Sequence, residues 1–284
     1  MSDKRKYPVH EYHNGSISLW AAKEWGLMWK DILDSRELIM RLAYRDIAVV
    51  YRNSILGFLW ALINPLLTVG LVAYLISMRV LPIEVTASPY VLFALPNVIL
   101  WQLFVSVLTS CTISLVNAGS LVTRINFPKE ALVFGATGQP MVEFSIKLLL
   151  VVGVFSWYGV MPQTGSIFVL LVILQIIMLA VGLGFILSVL NLVVRDVGYI
   201  VGIFSMIGML AAPVLYPPPT TSPFDLVNIL NPVSPLLIAS QDLLAHGTLE
   251  HPDLYLWGSA LSLSVFLLGW RVFRSAIVRV SERA

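Results

Sequence analysis

Apolar residues in this chain gather into long runs, and the first of them begins only after residue 54. A helix that crosses a bilayer needs about 20 predominantly apolar residues. Six runs meet that need: 55–77, 91–116, 140–160, 166–190, 198–215 and 254–273. The fifth is the shortest, and the second carries Pro96 and Asn97 near its start. The pattern predicts an all-α membrane protein. A cytoplasmic arm (1–54) precedes a six-helix transmembrane domain (55–273), and a short tail follows (274–284).

Within the arm, residues 34–55 read DSRELIMRLAYRDIAVVYRNSI. Asp34 followed by Glu37 resembles a helix-start capping pattern. Ile39, Ala43, Ile47 and Val50 then fall on one helical stripe, with Leu38, Leu42 and Val49 beside it, while Arg41, Arg45 and Arg52 lie off it. A basic amphipathic helix just before a span is expected to lie in the headgroup plane, apolar face down. It either anchors the chain and sets its topology or offers a docking surface to a cytosolic partner. Upstream, Trp20, Trp25 and Trp29 sit among Lys23, Glu24 and Lys30. Tryptophan favours the membrane interface, so this piece is expected there too.

Three inter-span segments stand out. Residues 117–139, NAGSLVTRINFPKEALVFGATGQ, are too apolar for a free loop and too interrupted for a span. Pro128 can open a short helix, because the first helical position needs no N–H. Lys129 and Glu130 would then face water while Ala131, Leu132, Val133 and Phe134 pack. Residues 191–199 hold Arg195 beside Asp196, read as a local pair at a membrane edge. Residues 216–253 contain no Lys or Arg and are rich in Pro, Leu and Ile. Short helices at 224–230 and 235–245 are expected there, dipping re-entrantly into the outer leaflet and lining an exit, since irregular backbone at membrane depth needs protein or a water-lined cavity beside it.

Two features interrupt the spans. Glu143 and Lys147 are four apart, acid first, the favourable helical order. Mutual pairing with snorkelling accounts for them, and so does a polar lining near a cytoplasmic entrance. Asn64-Pro65 breaks the first span, and Pro65 crowds the carbonyl of Ala61. Phe58, Trp60 and Tyr74 lie around it. Their rings either pack against lipid and protein or, in a wide conduit, stack on sugar faces.

Composition agrees with the pattern. The 284 residues are 58% hydrophobic and 12% charged, with a mean hydropathy of +0.85; soluble domains carry about 25% charged residues. Charge also sets orientation, since Lys and Arg favour the cytoplasmic side. With the N-terminus inside, the cytoplasmic segments hold nine Lys and Arg in 1–54, two in 117–139, one in 191–197 and four in 271–284, against Arg79 alone outside. Both termini are therefore expected in the cytoplasm. The arm has no hydrophobic signal core, so the first span is expected to act as an uncleaved insertion signal. Cys111, the single cysteine, rules out an intrachain disulfide and reads as a small buried hydrophobe. No P-loop occurs to cradle ATP. The four histidines have no zinc-site spacing, no catalytic set is readable, and no nucleic-acid role follows from basic residues that map to topology.

Three stretches carry a family resemblance. They are LAYRDIAVVYRNSILGFLWALINPLL (42–67), RINFPKEALVF (124–134) and LNPVSPLLIASQDLLAHG (230–247). In order, length and topology the chain resembles the permease subunit of type-2 ABC exporters, in the branch that moves O-antigen, capsular polysaccharide or teichoic acid. Many members carry an acidic and a basic residue where this chain has Ala239, Ser240 and Gln241.

The resemblance implies a homodimer in a bacterial inner membrane, its first and fifth spans bordering a conduit. Phe58, Trp60, Asn64 and Tyr74 are then candidates for the translocation path. It implies two copies of a separate ABC ATPase, which hold the ATP and Mg; no cofactor or metal is expected on this chain. The ATPase would dock on Arg124, Phe127, Pro128, Lys129 and Glu130 of a coupling helix and on Arg41 and Arg45 of the arm. The cargo would be a lipid-linked glycan moved outward. A permease of this architecture for a drug or small lipid is the near alternative. An intramembrane acyl or glycosyl transferase is the distant one.

Overall fold

The structure, a computed structural model, describes residues 22–51, 57, 59–81, 83, 89–119, 127–161, 163–219 and 226–281. Among these the chain is mostly helical and contains no strand. Two helices form the arm, α1 (Ala22–Asp34) and α2 (Arg36–Tyr51), with a turn at Ser35 between them. Then come α3 (Leu59–Ser77), α4 (Tyr90–Ala118), the short α5 (Glu130–Ala136), α6 (Gly138–Trp157), α7 (Val169–Val193), α8 (Asp196–Ala211), the short α9 (Val227–Leu230), α10 (Ser234–Ala245) and α11 (Pro252–Ser281).

Five of the described helical stretches are long and apolar enough to cross a membrane: Leu59–Ser77, Tyr90–Ala118, Glu130–Trp157, Thr164–Val193 and Pro252–Ile277. All but the first are longer than the apolar runs suggested. Pro96 does not delay α4, which already begins at Tyr90. The side chain of Asn97 donates to the carbonyl of Phe93 at 2.9 Å in the turn that the proline disturbs. Likewise α3 continues through Pro65.

The remaining predicted crossing, 198–215, is the 16-residue α8. At 1.5 Å per residue it is about 24 Å long, less than the hydrocarbon core of about 30 Å. Pro213 explains the early stop. A residue before proline is driven out of the helical region, and Ala212 is extended at φ −94°, ψ 151°.

The bundle is built around α7, which packs most extensively on α4 and α11. Glycines set both contacts. A Cβ on Gly184 would lie 2.4 Å from the Cβ of Cys111 on α4. A Cβ on Gly269 of α11 would lie 2.0 Å from the carbonyl oxygen of Gly182. Backbones meet here with almost nothing between them, the packing mode available where lipid offers no hydrophobic drive between helices. Cys111 is fully buried, as its apolar setting predicted. On the other side, α8 leans on α4 through Gly208, which faces the ring of Trp101, and the Trp101 indole N–H donates to the carbonyl of Ser205 at 3.3 Å.

Among the described residues of the 216–253 segment, two short helices stand where the sequence predicts them, α9 and α10. α10 is buried along most of its length against α4, α7 and α11. The Ser166 hydroxyl donates to the carbonyl of Leu243 at 2.9 Å, which ties its last turn to the start of the Thr164–Val193 stretch. Ala239 and Ser240 are fully packed, and Ser240 donates back to the carbonyl of Leu237 at 2.7 Å. A charge at either position would be desolvated, which accounts for the uncharged residues there.

Candidate functional site

One face of the bundle is assembled from α2, α5 and the adjoining ends of α4, α6 and α11. The apolar stripe of α2 does not face lipid along its middle. Leu42 and Ala43 press on α5 and α6, where a Cβ on Gly135 would lie 2.9 Å from the Cβ of Leu42, and one on Gly138 2.4 Å from that of Ala43. The headgroup-plane expectation is corrected on this point: two glycines let protein take the surface that the pattern assigned to lipid. Val49 and Val50 remain exposed. The opposite side of α2 presents Met40 and Tyr44, 71% and 75% exposed. Beside them Arg41 pairs with Glu37 at 2.7 Å, and Arg45 with Asp46 at 2.8 Å. An outward face with two large exposed apolar side chains among ion pairs suits a protein partner.

α5 follows Phe127 and Pro128. The Pro128 carbonyl accepts the N–H of Ala131 at 3.0 Å, so the turn opens just before Glu130. The Lys129 ammonium lies over the Phe127 ring, 4.2 Å from its centroid. Burial lowers the Lys129 ammonium below its ordinary pKa, and the neighbouring Glu130 charge acts in the opposite sense. Ala131, Leu132 and Val133 are buried as expected. Glu130 is not in water: it is 5% exposed. The helix docks onto the bundle rather than projecting from it, which turns Glu130 inward. Arg124 lies outside the described residues.

What Glu130 meets was not legible in the sequence. Arg274 of α11 places Nη1 3.7 Å from Glu130 Oε1 and Nη2 2.7 Å from Asp31 Oδ2 of α1. All three side chains are at most 21% exposed. One turn back, Trp270 is fully buried. It packs edge-on with Phe134 of α5 and with Trp25 and Trp29 of α1, at centroid distances of 5.9, 6.0 and 5.4 Å. Trp25 and Trp29 of the arm therefore pack on α11; Trp20 lies outside the described residues. Asp31 and Arg274 are 243 positions apart, and no periodicity connects them.

Beside this cluster a cavity of about 530 Å³ lies between α2, α4, α5 and α6, lined among others by Arg45, Asp46, Ser114, Asn117 and Gln139. Gln139 donates to Glu143 at 3.0 Å, and Glu143 lies 3.9 Å from the Lys147 ammonium. The expected pairing is present. The snorkelling is not, because the Lys147 side chain is 8% exposed and held inside the bundle. Arg195 and Asp196, read as a pair, are both exposed and form no ion pair with each other.

Of the aromatic candidates, Trp60 and Tyr74 are exposed on α3 and Asn64 beside them is exposed as well; Phe58 lies outside the described residues. α8 exposes Tyr199, Ile200, Ile203, Phe204, Ile207 and Leu210. The first and fifth predicted crossings thus both leave wide apolar surface uncovered by their own chain. Between α4, α6 and α10 a second cleft of about 480 Å³ is lined by Phe93, Asn97, Phe155, Gln241, Asp242 and His246, among others.

These features are those of a multi-pass membrane protein, with a packed platform where α2 and α5 meet the bundle and no group of three or more metal-ligating side chains among the described residues. The ABC-2 type transporter family model matches residues 37–244, which run from α2 to the last turn of α10, and the chain belongs to that family. Among its relatives is the O-antigen export system permease protein RfbA of Klebsiella pneumoniae, 24% identical over 249 residues that cover 87% of this chain and 94% of that protein. Another is the protein of the same name from Myxococcus xanthus, 26% identical over 251 residues, 87% of this chain and 95% of that protein.

Proposed function

We propose that this chain is the membrane-spanning subunit of an ATP-driven exporter that moves a lipid-linked, O-antigen-like polysaccharide outward across a bacterial inner membrane. The observation that carries the reading is the end-to-end similarity to O-antigen export permeases, joined to a cytoplasmic platform in which α5 is wedged between α2 and the bundle. Two copies of the chain pair through the uncovered apolar surfaces of α3 and α8 and border a conduit there. α8 and the residues after it complete a sixth crossing, which returns the C-terminus to the cytoplasm; Arg195 at its inner end fits that direction. A separate ABC ATPase, one copy per permease, carries ATP and Mg and docks on Met40, Tyr44, Arg41, Arg45, Phe127 and Lys129.

In this scheme the chain performs no covalent chemistry. It converts movement of the docked ATPase into opening and closing of the conduit, and its apolar bundle keeps ions out. Deleting the gene tests the cargo. Loss of the surface polysaccharide with accumulation of its lipid-linked precursor inside is the expected result. An unchanged glycan coat points instead to a drug or small-lipid permease. A lipid substrate turned over by the purified chain without any ATPase would revive the transferase alternative.

A further inference from the structure

The exporter reading leaves open how movement at α5 reaches the outer face. Three contacts along α11 bear on this. At its inner end Arg274 holds acids from two other elements, Asp31 of α1 at 2.7 Å and Glu130 of α5 at 3.7 Å. Trp270, one turn away, is enclosed by Trp25, Trp29 and Phe134 from the same two elements. An ion cluster this poorly exposed resists opening, because separating it strands charge away from water. Midway, Gly269 meets the backbone of Gly182, which fixes α11 to the central helix α7. Near its outer end, Gly258 lies so close to α10 that a Cβ there would sit 2.8 Å from the Cβ of Pro235. α10 in turn lines the outer cleft through Gln241 and Asp242, and His246 follows at its end.

α11 itself is one helix of 30 residues with no proline after its first position, about 45 Å of continuous rod. Packed helices move as units, since close-packed contacts shift between discrete arrangements rather than stretching. A rod clamped to the coupling helix at one end and to α10 at the other must shift α10 when the coupling helix moves.

We propose that α11 transmits the ATPase stroke from α5 to α10 and the outer cleft, and that Arg274 is the positioning residue that locks α11 to α5 and α1. This inference rests on the exporter reading. It assigns a role in transport to a charge cluster of which only Glu130 belongs to the expected docking set, and it makes α1 part of the transmission.

The test uses the full permease–ATPase complex in proteoliposomes, with ATP hydrolysis and outward movement of the lipid-linked glycan read on the same sample. Arg274→Gln removes the clamp. Asp31→Asn, isosteric and leaving Arg274 with Glu130, weakens it with less burden on folding. Both variants are expected to assemble with the ATPase and hydrolyse ATP near the wild-type rate, with glycan exported per ATP reduced by about tenfold in Arg274→Gln, the size of an ordinary coupling free energy. Arg274→Lys keeps the charge and is expected to recover much of the ratio. Wild-type export per ATP in Asp31→Asn or Arg274→Gln overturns the proposal. So does a parallel fall of hydrolysis and export, which would make the cluster a structural or docking element only. A wild-type chain that neither binds nor stimulates the ATPase sinks the exporter reading instead, and that control separates the two failures.

Discussion

Replacing Gly269 by alanine probes the backbone contact at the centre of the bundle. The new Cβ would sit 2.0 Å from the Gly182 carbonyl oxygen. Ordinary contact begins near 3.4 Å, so α7 and α11 must separate locally by about 1.4 Å. Neither partner can yield as a flexible side chain would, because both are backbone. Overpacking of a tight core costs about 1–3 kcal/mol, and each 1.4 kcal/mol is about tenfold in an equilibrium. The readout is built in. Cys111 is the only cysteine, fully buried and covered by Gly184, half a turn from Gly182 on the same helix. In a mild detergent a maleimide should label Cys111 only when α7 lifts away. Gly269→Ala is expected to raise the labelled fraction by about tenfold, and to lower the midpoint of denaturing-detergent unfolding. Gly70→Ala and Gly153→Ala are the controls, since a Cβ at either meets nothing within 4 Å. If Gly269→Ala labels at the rate of the controls, the close crossing of α7 and α11 is wrong.

Further outcomes follow from the same contacts. Trp270→Ala empties the aromatic cluster between α1, α5 and α11 and is expected to cost about 3–5 kcal/mol, read as loss of folded protein from the membrane fraction. Tyr44→Ala together with Met40→Ala should leave folding intact, since both side chains are exposed, and should weaken co-purification of the ATPase by about 2 kcal/mol; unchanged co-purification places the docking face elsewhere. Gly208→Val drives a side chain into Trp101 and should detach α8 from α4, measurable as a shift in tryptophan emission. Reporter fusions should place residue 281 on the cytoplasmic side; a terminus on the far side removes the sixth crossing.

Five of the six predicted crossings were legible as long apolar helices, because lipid imposes a length and a composition on every spanning helix. Three kinds of feature were not. The end of α8 depended on Pro213 and the extended Ala212, a local backbone effect inside an otherwise apolar run. The placement of α2 depended on Gly135 and Gly138, whose absent side chains make room for Leu42 and Ala43 and leave no mark in an amphipathic pattern. The Asp31–Arg274–Glu130 cluster depended on folding the two ends of the chain together. From the sequence, Arg274 reads only as a topology charge, and Glu130 as a water-facing docking residue of a short helix. Glu143 and Lys147 were found because their spacing is local. Their burial was missed because it is set by neighbouring helices. Phe127, Pro128 and Lys129 stand at the start of the expected short helix.

The most direct measurement is transport by the chain reconstituted with and without its ATPase subunit, using a lipid-linked polysaccharide and a probe that detects glycan only on the far leaflet. The account predicts movement only when both subunits and hydrolysable ATP are present, and none from either subunit alone. Far-side glycan produced by this chain unaided, or by the complex without ATP hydrolysis, would contradict it.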